Sequence, residues 1–206
     1  LDIEKAYDHV NWGYPLNILK QMGFGYRWFE WISSCIKTVR FSILVNEEPI
    51  CFFHSERGLR LGDPLSPFLF TLAMEGLDSI MRIALQNNWL RGFNIEGGGK
   101  GDLEICYLLY ADDTIVFCEA KVEQVCYIRV LLLVFEVISG LRVNWRKSNI
   151  FPIKEMSNIR ILAILLGCGV DNVPTVYLGI PLGSRHKDVE VWDNILEKVE
   201  KRLVQW

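Results

Sequence analysis

The chain has 206 residues, half of them hydrophobic and 23% charged, which describes a globular chain rather than a disordered one. Its length suits one domain with a substantial core. The net charge of −3 argues against a self-sufficient nucleic-acid binder and leaves local basic clusters, Arg142, Arg146 and Lys147 or Arg185, His186 and Lys187.

Leu1-Asp2-Ile3 reads as the end of a buried strand, already in progress at the first residue. Trp12 to Met22 is helix-like, with Pro15 near the first turn, where a missing N–H costs little. Trp28, Phe29, Ile32, Cys35 and Ile36 recur at helical spacing and are expected in the core. Arg40 to Val45 alternates as a strand, Asn46 to Pro49 turns, and Ile50 to Phe53 returns. Arg57 to Pro64 is a loop. Ser66 as N-cap and Pro67 as first helical residue then open a helix reaching about Leu85. Gly97 to Gly101 is a flexible link.

Two strand-like runs, 105–109 and 114–118, flank Tyr110-Ala111-Asp112-Asp113 and predict a β-hairpin. Val122 to Ile138 is an apolar helix ended by Gly140. Leu141 to Asn144 alternates as a strand, and Asn158 to Leu166 is a helix stopped by Gly167. Tyr177 to Gly183 is a short strand or hairpin, and Val191, Ile195, Leu196, Val199 and Leu203 continue a helical pattern. Helices interleaved with antiparallel hairpins give an α+β fold.

The six cysteines form no C-x-x-C pair, so a zinc site is not expected, and reduced thiols are. No signal peptide opens the chain. The longest apolar run, Val130 to Phe135, is far shorter than the roughly 20 residues of a membrane span. An intracellular location, nuclear or cytoplasmic, is expected.

The chemistry concentrates at the hairpin. Two adjacent carboxylates repel, so either one protonates or a cation sits between them. Asp is also a common turn residue, and the pair alone decides nothing. Asp2 adds a third carboxylate near the end of an apolar strand, where an acid needs a partner. If that strand lies beside the hairpin, three carboxylates converge. Such a cluster holds two divalent cations about 3.5–4 Å apart, an arrangement for in-line phosphoryl transfer. Oxygen ligands favour Mg²⁺ or Mn²⁺.

Five blocks carry a resemblance in order and spacing: Leu1 to Asp8, Arg57 to Pro67, Tyr110 to Asp113, Gly140 to Ser148 and Tyr177 to Gly183. Together they resemble the palm motifs of reverse transcriptases, in the form found in plant non-long-terminal-repeat (LINE-type) retrotransposons. The resemblance implies an antiparallel palm sheet backed by helices, with the chain as a partial reverse transcriptase domain and a fingers-like segment at about 14–60. It implies Asp2, Asp112 and Asp113 as catalytic metal ligands, with the Ile3 carbonyl contributing, and two Mg²⁺ or Mn²⁺ ions as cofactors. Tyr7 falls where the family places an aromatic against the sugar of the incoming nucleotide, and its alternative is a core ring. Gly62 matches a glycine that lets the backbone approach nucleotide and template, and Arg60 belongs to the same nucleotide-binding block. Lys147 matches a lysine proposed as general acid for the departing pyrophosphate, and its alternative is a solvated charge. The implied partners are an RNA template, a DNA primer and deoxynucleoside triphosphates.

The family usually has Gln where this chain has Leu61, and Leu neither donates nor accepts a hydrogen bond. The family's fingers are expected before Asp2 and its thumb after Trp206. Leu61, the acidic charge and those flanks motivate a second reading, a non-catalytic remnant that retains the fold. A nucleotide cyclase shares the acidic geometry, but does not predict the blocks at 62–67 and 177–183.

Overall fold

The computed structural model describes residues 1–95, 103–183 and 192–204. The glycine-rich link, the basic cluster at 185–187 and Val191 lie outside the described residues. Two compact units divide the chain, Leu1–Asn144 and Trp145–Trp206.

The first unit opens with β1 (Ile3–Glu4) and three helices, α1 (Ala6–His9), α2 (Gly13–Gln21) and α3 (Tyr26–Lys37). A hairpin of β2 (Arg40–Val45) and β3 (Glu48–His54) precedes the long helix α4 (Ser66–Gln86). Then come β4 (Phe93–Ile95), β5 (Leu103–Ile105), the hairpin β6 (Tyr107–Tyr110) and β7 (Asp113–Val116), α5 (Val122–Ser139) and β8 (Arg142–Val143).

The core lies where α2, α4 and α5 meet. Helix α4 buries Leu69, Phe70, Ala73, Met74, Leu77, Met81 and Ala84, the three-and-four spacing of one helical face. Helix α5 meets it with Val125, Ile128, Leu132 and Phe135. Each large side chain so buried contributes roughly 1.5–3 kcal/mol. Gly76 interrupts α4 for a packing reason, because a methyl group there would collide with the hydroxyl of Tyr14. The Tyr14 ring meets Phe135 edge-on, with centroids 6.3 Å apart.

The expected core stripe of α3 is half right. Ile32 and Ile36 are buried, but Trp28 is 55% exposed and Cys35 is exposed. Helical spacing marks a face without saying how much of it a neighbour covers. Trp28 instead pairs edge-to-face with Trp31, at 5.6 Å. The turn after β2 is tighter than expected, two residues with Asn46 and Glu47 both at positive φ (50° and 68°). That geometry matches the twist of a hairpin. Strand β3 therefore begins at Glu48 and includes Pro49, opposite Leu44.

The strands pair two by two instead of forming the single antiparallel sheet expected. Antiparallel pairs are β1–β8, β2–β3, β4–β5 and β6–β7. Strands β1 and β8 are two residues long, too short to extend a ladder across the unit. The β6–β7 hairpin starts at Tyr107 because Ile105 pairs with Phe93 in the β4–β5 ribbon. Cys106, between the two pairings, is buried, and its carbonyl accepts the Phe117 N–H at 2.7 Å.

In the second unit, β9 (Asn149–Ile150) and β10 (Gly169–Val170) run parallel, joined through α6 (Ile159–Leu166). The expected hairpin near Tyr177 is present as β11 (Thr175–Tyr177) and β12 (Ile180–Leu182). Helix α7 (Asp193–Leu203) follows. Helices mixed with small, mostly antiparallel strand pairs agree with the α+β class.

Candidate active site

The acidic hairpin forms as the sequence predicts. Tyr110 pairs with Asp113, leaving Ala111 and Asp112 as a two-residue turn. Ala111 adopts φ 51°, a conformation glycine usually fills and costly for a side chain. Side chains alternate along the strands, so Tyr107, Leu109, Thr114 and Val116 share one face and Leu108, Tyr110, Asp113 and Ile115 the other. Thr114 is buried, which makes its face the inner one. Asp112 and Asp113 are exposed.

Asp2 stands beside this hairpin. The Leu1 nitrogen donates to the Thr114 carbonyl at 2.7 Å, joining the residue before Asp2 to the residue after Asp113. On the other side, the Asp2 carbonyl accepts the Asn144 N–H at 2.8 Å, and Ile3 pairs with Val143. Ile3 is buried and Asp2 half-buried. The two carboxylate-bearing segments are therefore adjacent. Among the described residues, no three Asp, Glu, His or Cys side chains are gathered closely enough to hold a metal ion.

A second cluster forms around the 57–67 loop. Backbone bonds stitch it to the segment after β1: Leu59 N–H to the Tyr7 carbonyl at 2.7 Å and Gly58 N–H to the Val10 carbonyl at 2.8 Å. The Trp12 indole N–H reaches the Gly58 carbonyl at 2.6 Å. Gly58 has φ 85°, and a Cβ on it would stand 2.7 Å from the Asp8 carbonyl oxygen. Tyr7 stacks on Phe70 of α4, with centroids 5.1 Å apart. Tyr7, Leu61, Gly62, Asp63, Pro64 and Pro67 line a groove of about 360 Å³. Tyr7 and Gly62 thus meet in one groove, with Leu61 74% exposed at its edge.

Arg60 lines a neighbouring cleft of about 370 Å³, with Asp8, Phe41, Phe53 and Arg57. Its guanidinium pairs with Asp63 at 2.7 Å. Asp63 also accepts the Leu65 N–H at 2.9 Å, and its carbonyl accepts the Ser66 N–H at 3.1 Å. The turn into the helix is therefore closed by Asp63 rather than by a Ser66 side-chain cap. Ser66 is the first helical residue, buried, with Leu65 at the cap position and no side-chain bond from it. The Leu65 N–H foremost, and the Arg60 guanidinium beside it, hold the Asp63 carboxyl below its ordinary 3.8. Asp63 with Pro64 thus leads into the helix, as its place in the block at 57–67 suggests, and an Asp two residues before a backbone N–H is a recognisable turn signal.

Lys147 lies in the second unit, in the turn at 145–147 before β9, and is exposed. Sequence reasoning missed a contact behind the hairpin. The Tyr107 hydroxyl donates to Asp78 of α4 at 2.6 Å, and Asp78 pairs with Arg82 at 2.5 Å. No sequence signal marks a side-chain bond across 29 positions.

Comparison with known proteins agrees with the motif order. Residues 1–182 match the family model described as reverse transcriptase (RNA-dependent DNA polymerase). The transposon TX1 uncharacterized 149 kDa protein of Xenopus laevis is 28% identical over 156 residues, 72% of this chain and 11% of that protein. The retrovirus-related Pol polyprotein from the type-1 retrotransposable element R2 of Popillia japonica is 27% identical over 177 residues, 84% of this chain and 23% of that protein. An uncharacterized mitochondrial protein of Arabidopsis thaliana is 39% identical over 71 residues, 34% of this chain and 56% of that protein. The chain thus spans a minor part of the two long relatives and about half of the short one. The chain belongs to the reverse transcriptase (RNA-dependent DNA polymerase) family.

Proposed function

We propose that this chain is the palm portion of an RNA-directed DNA polymerase, adding deoxynucleotides to a primer 3′-hydroxyl on an RNA template by two-metal nucleotidyl transfer. The observation that carries this reading is the Leu1–Thr114 hydrogen bond, which sets the Asp2 segment against the Asp112-Asp113 hairpin in a chain of this family. Asp2, Asp112 and Asp113 would hold the ions, with the Ile3 carbonyl, and this all-oxygen donor set suits Mg²⁺ or Mn²⁺. Such ions, when bound, neutralise triphosphate charge and acidify the attacking hydroxyl.

The rest of the site binds and orients. Tyr7, fixed by its stack on Phe70, would abut the deoxyribose and exclude a 2′-hydroxyl. Gly62, with no side chain and open space around it, would let the nucleotide lie against the backbone. Arg60, held by Asp63, would meet phosphate charge, and Lys147 would deliver a proton to the departing pyrophosphate. The template, primer and triphosphates are the partners this reading names.

A second reading, a remnant that keeps the fold without the chemistry, is favoured by Leu61, which stands exposed at the groove and cannot hydrogen-bond a nucleotide. Mn²⁺ titration followed by electron paramagnetic resonance separates the two. The polymerase reading expects saturable binding at millimolar metal that Asp2→Asn and Asp112→Asn each weaken. Binding indifferent to both substitutions, or none at all, favours the remnant.

A further inference from the structure

The acidic hairpin and the nucleotide groove belong to separate segments, yet one helix touches both. Helix α4 begins beside the groove, and its second turn carries Phe70, on which Tyr7 stacks. Eight residues on, about 12 Å of helix at 1.5 Å per residue, α4 presents Asp78 to the Tyr107 hydroxyl at 2.6 Å. Asp78 is itself fixed by Arg82 one turn later, at 2.5 Å, and Arg82 also reaches Glu75 at 3.2 Å. Tyr107 lies on the inner face of β6, with the turn Ala111-Asp112 at the other end of that strand.

We infer that Tyr107, Asp78 and Arg82 form a positioning device, which uses α4 as a spacer to set the Asp112-Asp113 tip at a fixed distance from the groove around Tyr7 and Gly62. The anchoring rests on the geometry, and its effect on turnover rests on the polymerase reading. The hairpin needs such an anchor. It has two strands, and the Leu1–Thr114 bond ties it to the β1 segment. A two-stranded ribbon by itself is marginally stable in water. A charge-assisted bond from a phenol to a carboxylate that already has its cation is strong and directional. Burial, and next the facing Asp78 carboxylate, push the Tyr107 phenol well above its ordinary range, so it stays a donor at working pH. Tyr107 and Asp78 touch no proposed substrate, so they act through the hairpin.

The test compares Tyr107→Phe and Asp78→Asn with the unsubstituted chain by two readouts. Hydrogen exchange on the 206-residue chain reads the anchor without any need for catalysis. Tyr107→Phe is expected to speed exchange at residues 107–116 while leaving α2 and the β2–β3 hairpin unchanged. Primer extension by the chain within its open reading frame reads the consequence. There kcat is expected to fall roughly tenfold to a hundredfold, because small misplacements of reacting groups cost that much. KM for the nucleotide should stay within about twofold, as the groove is untouched. Asp78→Asn, which keeps an acceptor for the phenol, should fall between the two.

Unchanged hairpin exchange in Tyr107→Phe overturns the anchor. Faster exchange with unchanged kcat, or a rise in KM alone, overturns the positioning role. Absence of Asp112-dependent incorporation by the unsubstituted chain overturns the polymerase reading and the positioning role with it, while the anchor still stands or falls by exchange.

Discussion

Gly58 and Gly62 sit in one loop at similar φ, 85° and 79°, yet a methyl group would meet different surroundings on each. On Gly58 it would press on the Asp8 backbone at 2.7 Å, whereas on Gly62 nothing lies within 4 Å. Gly62→Ala therefore carries only the cost of a left-handed residue, about 1–2 kcal/mol. Gly58→Ala adds a clash with backbone that has nowhere to move, and should lower the melting temperature further. Calorimetry of both variants checks the order. In nucleotide binding the ranking should reverse, because only the Gly62 methyl enters the groove. Tyr14 makes the opposite case. Its hydroxyl is buried, has no hydrogen-bond partner among the described residues, and burial pushes its pKa up to about 12. Tyr14→Phe should leave stability unchanged or raise it by up to about 1 kcal/mol, since a buried hydroxyl without a partner costs desolvation. A fall of similar size in the melting curve would assign that hydroxyl a partner. Gly62 and Tyr7 were legible from motif order, and Ala111 as part of a turn. Asp78 was not, because its value depends on which strand residue faces it.

At the scale of elements, the start of α4 is the most informative. Asp63 closes the turn that leads into the helix and holds Arg60 with one carboxylate. Its folded-state pKa is lowered, so the unfolded chain binds the proton more readily. The contribution of these bonds is therefore complete above the ordinary carboxylate value and fades as pH falls through the lowered one. The Leu65 amide resonance should shift in that acid range and not near neutrality, as NMR titration would show. Asp63→Ala should cost about 0.5–1.5 kcal/mol, the usual net worth of one hydrogen bond, and Asp63→Asn less, because it keeps an acceptor. The long helices were legible because α4 and α5 repeat their apolar residues at one-face spacing. The α3 face was misread at Trp28 and Cys35 because periodicity does not count neighbours. Strand β4 was missed because three residues carry too little alternation to register. The single sheet expected from the motifs became separate pairs because β1 and β8 are so short.

For the whole molecule, three of the five motif blocks lie within Leu1–Asn144, the fourth, 140–148, crosses into the next unit, and the fifth lies in Trp145–Trp206. Family membership was legible in the sequence because motif order spans both units. The gathering of carboxylates was not, because it depends on how closely Asp2 and the hairpin tip approach, which no spacing rule fixes. Among the described residues no helix is long and apolar enough to cross a membrane. Leu61, exposed at the groove, is the main chemical departure from the family pattern. If it weakens the nucleotide site, Leu61→Gln should lower KM for the nucleotide in primer extension, and an unchanged KM would remove that objection. The central claim is that the hairpin carboxylates serve phosphoryl transfer, and primer extension on an RNA template by the chain within its open reading frame tests it most directly. The account predicts Mg²⁺- or Mn²⁺-dependent incorporation of deoxynucleotides that Asp112→Ala reduces by about a hundredfold or more, the scale of a lost charge-stabilising group. Incorporation that survives Asp112→Ala undiminished would contradict it.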